Sequence, residues 1–106
     1  MYIRLLGSLT IENGQRQLGP EDLGGRKPKQ LLEILLNERG RAVSKERLID
    51  LLWPDDLPQH AAATLDTYIS VLRRHLEPTA VRARDSRYIR RVRPGYLFDA
   101  SEVEKK

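Results

Sequence analysis

The stretch RYIRRVRPGYLFDA, Arg87 to Ala100, sets four arginines within seven residues, then Pro94-Gly95, then the apolar Tyr96, Leu97 and Phe98. Clustered guanidiniums do one kind of chemistry. They bind polyanions, through forked hydrogen bonds to phosphate or carboxylate and through the field they sum to. The clustering reaches upstream. Residues 73–93 hold eight arginines against Glu77 and Asp85, net +6, whereas residues 1–72 hold nine Lys or Arg and ten Asp or Glu, net −1. A basic strand also protects a sheet edge from aggregation, so charge alone leaves a polyanion site and a solvated edge both open.

Other reactive side chains are sparse. The 106 residues include no cysteine, which excludes disulfides, thiolate metal sites and cysteine nucleophiles and fits a reducing cytoplasm. His60 and His75 stand apart without the HExxH-type spacing of a zinc site. His75, late on a helix, reads as a capping or solvated side chain. Asp55-Asp56 is a carboxylate pair in a proline-bounded loop with no third group beside it, a solubilising or partner-contacting feature. Gly24-Gly25 ahead of Arg26-Lys27 has neither the spacing nor the preceding strand of a P-loop. These absences predict no enzyme, no metal, no cofactor and no small-molecule substrate. Apolar runs are only a few residues long, too short for a membrane span, and the N-terminus lacks a signal-peptide pattern. The expectation is a cytoplasmic protein with no membrane partner.

The elements that must position the arginines follow from pattern. The length suits one domain with a real core, and 40% hydrophobic with 32% charged residues is ordinary for a globular chain. Short β-type runs around Asn13-Gly14 predict strands over Tyr2–Leu6, Ser8–Glu12 and Gln15–Leu18, joined in part by a tight hairpin turn. GPEDLGG reads as loop with a brief extended piece near Leu23. KPKQLLEILLNERG predicts a first helix, with Pro28 at its first position, a stripe of Leu31, Leu32, Leu35 and Leu36 widened by Ile34, and Gly40 in a left-handed cap. GRAVS reads as a turn plugged by Val43. SKERLIDLLWP predicts a second helix capped by Ser44, carrying Leu48, Ile49, Leu51 and Leu52 and stopped by Pro54. AAATLDTYISVLRRHLEP predicts a third, TAVRARDS a polar connector, and the arginine-rich stretch a hairpin turning at Pro94-Gly95. Residues 1–100 then form one α+β domain, a winged helix-turn-helix with an N-terminal antiparallel sheet, three helices and a C-terminal hairpin wing. Residues 101–106 read as a frayed tail or the start of a linker.

On a wheel of about 100° per residue, the third helix turns Leu65, Ile69, Leu72 and Leu76 to the core, flanked by Ala61, Ala62 and Tyr68. Ala63, Thr67, Ser70 and Arg74 face the other way, with Thr64, Asp66 and Val71 at the edges. A merely solvated face would be rich in Lys and Glu. Small hydroxylated side chains let a backbone approach a major groove, where Thr, Ser and Ala touch base edges or a thymine methyl and Arg chelates guanine or clamps phosphate. Val71 on that side suits a thymine methyl. Asp66 must find a partner other than Arg73 or Arg74, or reach Ser70. In the hairpin, Pro94-Gly95 presents Arg93 at the tip, beside the helix and suited to an adjacent minor groove. Ile89 and Val92 lie three apart, which predicts a bulge or a two-sided environment. Trp53 reads as a lid on the core.

The strings VSKERLIDLLWP, TYISVLRRHLEP and RRVRPGYLF, in that order and spacing, resemble the OmpR/PhoB-type winged-helix effector domain. Within that family they look most like the N-terminal domain of antibiotic regulatory protein (SARP) transcription activators, over nearly the whole chain. The resemblance implies double-stranded DNA binding, with the third helix in the major groove and the wing in the minor groove. It implies contacts at Ala63, Thr64, Thr67, Tyr68, Ser70, Val71 and Arg73, and at Arg91 and Arg93 in the wing; the wheel adds Arg74. It implies an RNA polymerase contact in the loop beginning Trp53, Pro54, Asp55, Asp56 and Leu57. It further implies direct-repeat sites, a tandem dimer on DNA, and a second domain in most members. A winged helix can instead bind protein, and that alternative stays open. Double-stranded RNA is disfavoured, because its deep narrow groove excludes a helix.

Overall fold

The computed structural model describes residues 2–4, 10–13, 16–18, 24–77, 88–99 and 104–105. Its elements run β1 Tyr2–Arg4, β2 Thr10–Asn13, β3 Arg16–Leu18, α1 Arg26–Asn37, β4 Val43–Ser44, α2 Lys45–Leu52, α3 Ala61–Leu76, β5 Ile89–Val92, β6 Gly95–Phe98 and β7 Glu104–Lys105. The expected extended piece near Leu23 and the TAVRARDS connector fall outside the described residues.

One sheet has strand order β3-β2-β1-β7. Tyr2 pairs with Glu12 and Asn13 with Arg16, both antiparallel. Within the tail expected to fray, β7 lies parallel to β1, with Tyr2 opposite Glu104 and Ile3 opposite Lys105. The second sheet, β4-β6-β5, contains the basic hairpin.

The helices bury the faces their periodicity foretells. Leu31, Leu32, Leu35 and Leu36 of α1, Leu48 and Leu52 of α2, and Leu65, Ile69, Leu72 and Leu76 of α3 form one core with Val43, Tyr88, Ile89, Tyr96 and Phe98. Ile34, Ile49, Trp53 and Tyr68 pack against its margin. Trp53 is thus the expected lid, its ring 6.0 Å from that of Tyr68. Leu51 departs from expectation and is 48% exposed. A helix of only eight residues packed by neighbours on one side buries a narrow stripe, and Leu51 lies outside it.

Among the described helix N-termini only that of α2 carries a side-chain cap. Pro28 sits in the first turn of α1, two residues inside its start, where its missing N–H has no intrahelical partner to lose. Gly40 takes the left-handed φ of +82° but is not the expected helix cap: α1 is capped at Glu38, two residues earlier, and the Gly40 N–H donates to the Phe98 carbonyl at 2.9 Å. Ser44 Oγ accepts from Arg47 N–H at 3.1 Å as the cap of α2. The Lys27 ammonium donates to the Leu52 carbonyl at the opposite end of α2, where a cation suits the helix dipole. Replacing Ser44 with alanine will lower stability by about 1 kcal/mol, measurable as a shift in urea midpoint at unchanged slope.

Two features of the hairpin region differ from the sequence expectation. GRAVS is not simply a plugged turn: Val43 and Ser44 pair with Tyr96 and Gly95, so the helix-turn-helix and the hairpin share a sheet. And the hairpin turns at Arg93-Pro94, joined by a cis peptide, rather than at Pro94-Gly95. Gly95 lies inside β6, where its missing side chain lets it cross β4: a Cβ there would stand 1.9 Å from the Val43 carbonyl oxygen. No bulge is present in the hairpin. Ile89, Arg90, Arg91 and Val92 pair in regular register with Phe98, Leu97, Tyr96 and Gly95. Val92 is simply exposed, at 38%.

Candidate nucleic-acid interface

The outward side of α3 is the one the wheel picks out. Ala63, Thr67, Ser70 and Arg74 are exposed, and Thr64, Asp66, Tyr68, Val71 and Arg73 are half-buried. Ala62, expected at the core margin, is also exposed. Thr67 Oγ1 donates to the Ala63 carbonyl at 3.0 Å and Ser70 Oγ to the Asp66 carbonyl at 3.2 Å. Val71 has an explanation within the fold. A Cβ on Gly24 would lie 2.2 Å from Val71 Cγ1, so the valine packs on the glycine turn that leads into α1. No thymine methyl is needed to account for it.

The wing joins this helix through a polar cluster. Cross-strand partners share a face, so Arg91, opposite Tyr96, lies on the side of the hairpin that meets α3. The Tyr96 hydroxyl donates to Asp66 Oδ1 at 2.6 Å, and Lys45 Nζ, from the first turn of α2, donates to Asp66 Oδ2 at 3.0 Å. These are the partners Asp66 was expected to need. Burial raises the Asp66 pKa, but the Tyr96 hydrogen bond, the Lys45 hydrogen bond and the charges of Lys45 and Arg91 outweigh it and hold the carboxylate below its ordinary 3.8. The stability this contributes is present above 3.8 and is lost as pH falls through the folded value.

Tyr96 shifts the other way. Burial, then the hydrogen bond to Asp66 and its charge, push the phenol from 10.0 to about 12. Its contribution is complete below 10.0 and disappears as pH rises towards about 12. Replacing Tyr96 with phenylalanine will cost about 1.5 kcal/mol, the worth of a hydrogen bond to a charged acceptor. It will also flatten the loss of stability across that alkaline interval, readable in a series of denaturant titrations.

Arg73 serves the scaffold. Its Nε and Nη2 donate to the Ile89 carbonyl at 3.2 and 2.9 Å, and its guanidinium lies 5.9 Å from the Tyr96 ring centre. Burial lowers its pKa, and an arginine so shifted is still charged. The fork therefore ties α3 to β5. Arg90, on the opposite face of the hairpin from Arg91, is held by Asp99 at 3.2 Å. Arg91 and Arg93 are exposed. With Lys45, Pro94 and Gly95 they line a cleft of about 500 Å³ between the wing and the start of α2.

Lys45 went unnoticed in the sequence. It stands next to a capping serine on α2, away from the outward face of the third helix, and its position beside the wing depends on the β4–β6 pairing. The loop residues Pro54, Asp55, Asp56 and Leu57 are exposed, Leu57 at 62%. Among the described residues no cluster of three or more His, Cys, Asp or Glu could hold a metal, and no helix is long and apolar enough to cross a membrane.

A three-helix core, a two-residue strand bridging helices and hairpin, and a basic hairpin beside an exposed hydroxylated helix define a winged helix-turn-helix. The chain belongs to the family described as "Transcriptional regulatory protein, C terminal", whose model matches residues 23–98. This is the OmpR/PhoB-type DNA-binding domain of transcription regulators, and its relatives are SARP regulators. It is 35% identical over 74 residues to the regulatory protein DnrI of Streptomyces peucetius, covering 70% of this chain and 26% of DnrI. It is 43% identical over 60 residues to the regulatory protein AfsR of Streptomyces griseus, covering 55% of this chain and 6% of AfsR. A solved structure of Mycobacterium tuberculosis EmbR in complex with a low-affinity phosphopeptide superposes with a TM-score of 0.77 at 28% identity, over 92% of this chain and 24% of that one. The chain thus spans about a quarter or less of each of these proteins. The family is one of transcription regulators and not an enzyme class.

Proposed function

We propose that the chain reads double-stranded DNA by laying α3 in the major groove while the wing tip enters the neighbouring minor groove, at direct-repeat promoter sites where it activates transcription. The observation that carries this is the continuity of one surface. Exposed Thr67 and Ser70 lie on the same helix as Asp66, which is bonded directly to Lys45 and Tyr96, and these border the cleft of Arg91 and Arg93. Small side chains admit a groove wall, and the cations beside them meet the phosphates that border it. Ala63, Thr64, Tyr68 and Val71 are the further helix contacts proposed, with Arg74 toward the C-terminal end. Arg73 belongs to the same set, but with its fork on the Ile89 carbonyl its part is to hold helix and wing in register.

Two copies side by side on adjacent repeats form the proposed tandem dimer. The exposed Leu57 and the acidic pair Asp55-Asp56 support a contact between the α2–α3 loop, from Trp53 and Pro54 onward, and RNA polymerase. The place of action is the cytoplasm, at the nucleoid.

The test is random-site selection on the 106-residue chain, followed by titration of the selected duplex across salt. About five phosphate contacts give a log–log slope of roughly −4 to −5. A protein-interaction module would select no motif and bind no duplex tightly at low salt.

A further inference from the structure

The hydroxyls that face outward from α3 have already spent their protons. Thr67 Oγ1 donates to the Ala63 carbonyl and Ser70 Oγ to the Asp66 carbonyl. A hydroxyl has one donor and two acceptor lone pairs, so what each turns outward is acceptor only, with a methyl group beside it on Thr67. Asp66, on the wing side of the same face, is a carboxylate and accepts only. Ala62 and Ala63 offer methyl groups. Thr64 and Tyr68, the other hydroxyl carriers, lie about a quarter turn or more from this line and are half-buried. The middle of the exposed face therefore carries side-chain acceptors and methyls, and the first outward side-chain donor along it is Arg74, about one turn beyond Ser70.

The major groove presents the complementary alphabet. Adenine N6 and cytosine N4 are donors and thymine carries a methyl, whereas guanine N7 and O6, adenine N7 and thymine O4 are acceptors. Resting on the DNA-binding reading above, we infer that Thr67 and Ser70 are specificity residues for exocyclic amino groups, taking adenine N6 or cytosine N4. Thymine methyls pack on Ala63 and the Thr67 methyl. Guanine edges find no side-chain donor at the centre of the helix and are read, if at all, from Arg74. This fixes which strand's base faces each hydroxyl, since every base pair offers one amino group and one carbonyl at different places across the groove.

Functional-group deletion in the DNA tests it. The probe is the duplex that the 106-residue chain itself selects from a random pool. Each adenine is replaced in turn by purine, which lacks the N6 amino group, and each cytosine by 2-pyrimidinone, which lacks the N4 amino group. In a parallel set, purines are replaced by their 7-deaza forms, which lack the N7 acceptor. Affinity is measured for the unaltered chain, Thr67→Val, which keeps the shape and loses the oxygen, and Ser70→Ala. Both sites are exposed, so both variants will fold. At one position for each hydroxyl, deletion of the amino group will weaken binding by the unaltered chain about tenfold. The variant lacking that hydroxyl will be indifferent to the same deletion. Sensitivity to the 7-deaza change in its place, abolished by the same variant, would mean that the hydroxyl donates, and would overturn the inference. So would equal losses in all three proteins. Failure to select any duplex would overturn the DNA-binding reading beneath it, a result distinct from either.

Discussion

Replacing Gly95 with alanine will cost the domain about 3 kcal/mol of folding stability, a large loss for a single methyl group. The added Cβ would meet the Val43 carbonyl oxygen at 1.9 Å and Lys45 N and Ser44 C at 2.8 Å. All three are backbone atoms, held on one side by pairing with β6 and on the other by the first turn of α2. No side chain can rotate aside to make room. Relief requires parting β4 from β6, which would also strain the Lys45 N–H bond to the Pro94 carbonyl at 3.3 Å. Urea denaturation followed by circular dichroism checks this, with Gly40→Ala as the comparison. Gly40 has a positive φ of +82° but nothing within 4 Å of its would-be Cβ, so that change carries only the backbone penalty, about 1 kcal/mol. Equal losses in the two variants would show that β4 yields easily and that the crossing is not tight.

Removing both wing arginines, Arg91→Ala with Arg93→Ala, will weaken duplex binding between roughly tenfold and a hundredfold near 0.1 M salt, and will reduce the log–log salt slope by about 2. Both side chains are exposed and line the cleft beside Lys45, so their loss leaves the core untouched. The informative control is Arg90→Ala. It removes the same charge from the same strand, but Arg90 faces away from α3 and is paired with Asp99. Its affinity and slope will stay close to those of the unaltered chain. If Arg90 matters as much as the other two, the strand acts as undirected positive charge and the assignment of one face to DNA fails. Fluorescence anisotropy at four or five salt concentrations separates the two outcomes.

Much of this architecture is legible in the sequence because its causes are local. Leu65, Ile69, Leu72 and Leu76 announce a helix by spacing alone, and all four are buried. The same wheel turns Thr67, Ser70 and Arg74 outward, where they are found. Ser44 declares a cap by type. What could not be read depends on contacts between distant segments. Val43-Ser44 is too short to show a strand period, and only its partner Tyr96, far along the chain, makes it one. Gly95 next to Pro94 has the composition of a turn, and only the crossing of β4 reveals that it is needed for close approach. Val71 looks misplaced on a wheel because a wheel knows nothing of Gly24. Arg73 looks available because the Ile89 carbonyl that occupies it lies sixteen residues on. Lys45 belongs to the site by the same kind of remote pairing.

The shared strand has a mechanical meaning. Ser44 closes a β ladder with its backbone and caps α2 with its side chain, and Lys45 beside it holds Asp66 of α3, so the tip of the finger and the barrel of the proposed reading helix are jaws of a caliper cast in one piece. An instrument with a fixed gauge does not adapt to what it measures. With α3 and the wing in successive grooves as proposed, the duplex is the softer of the two bodies, and sites whose grooves already stand at the right separation, or bend to it at little expense, will be held longest even where no base is touched.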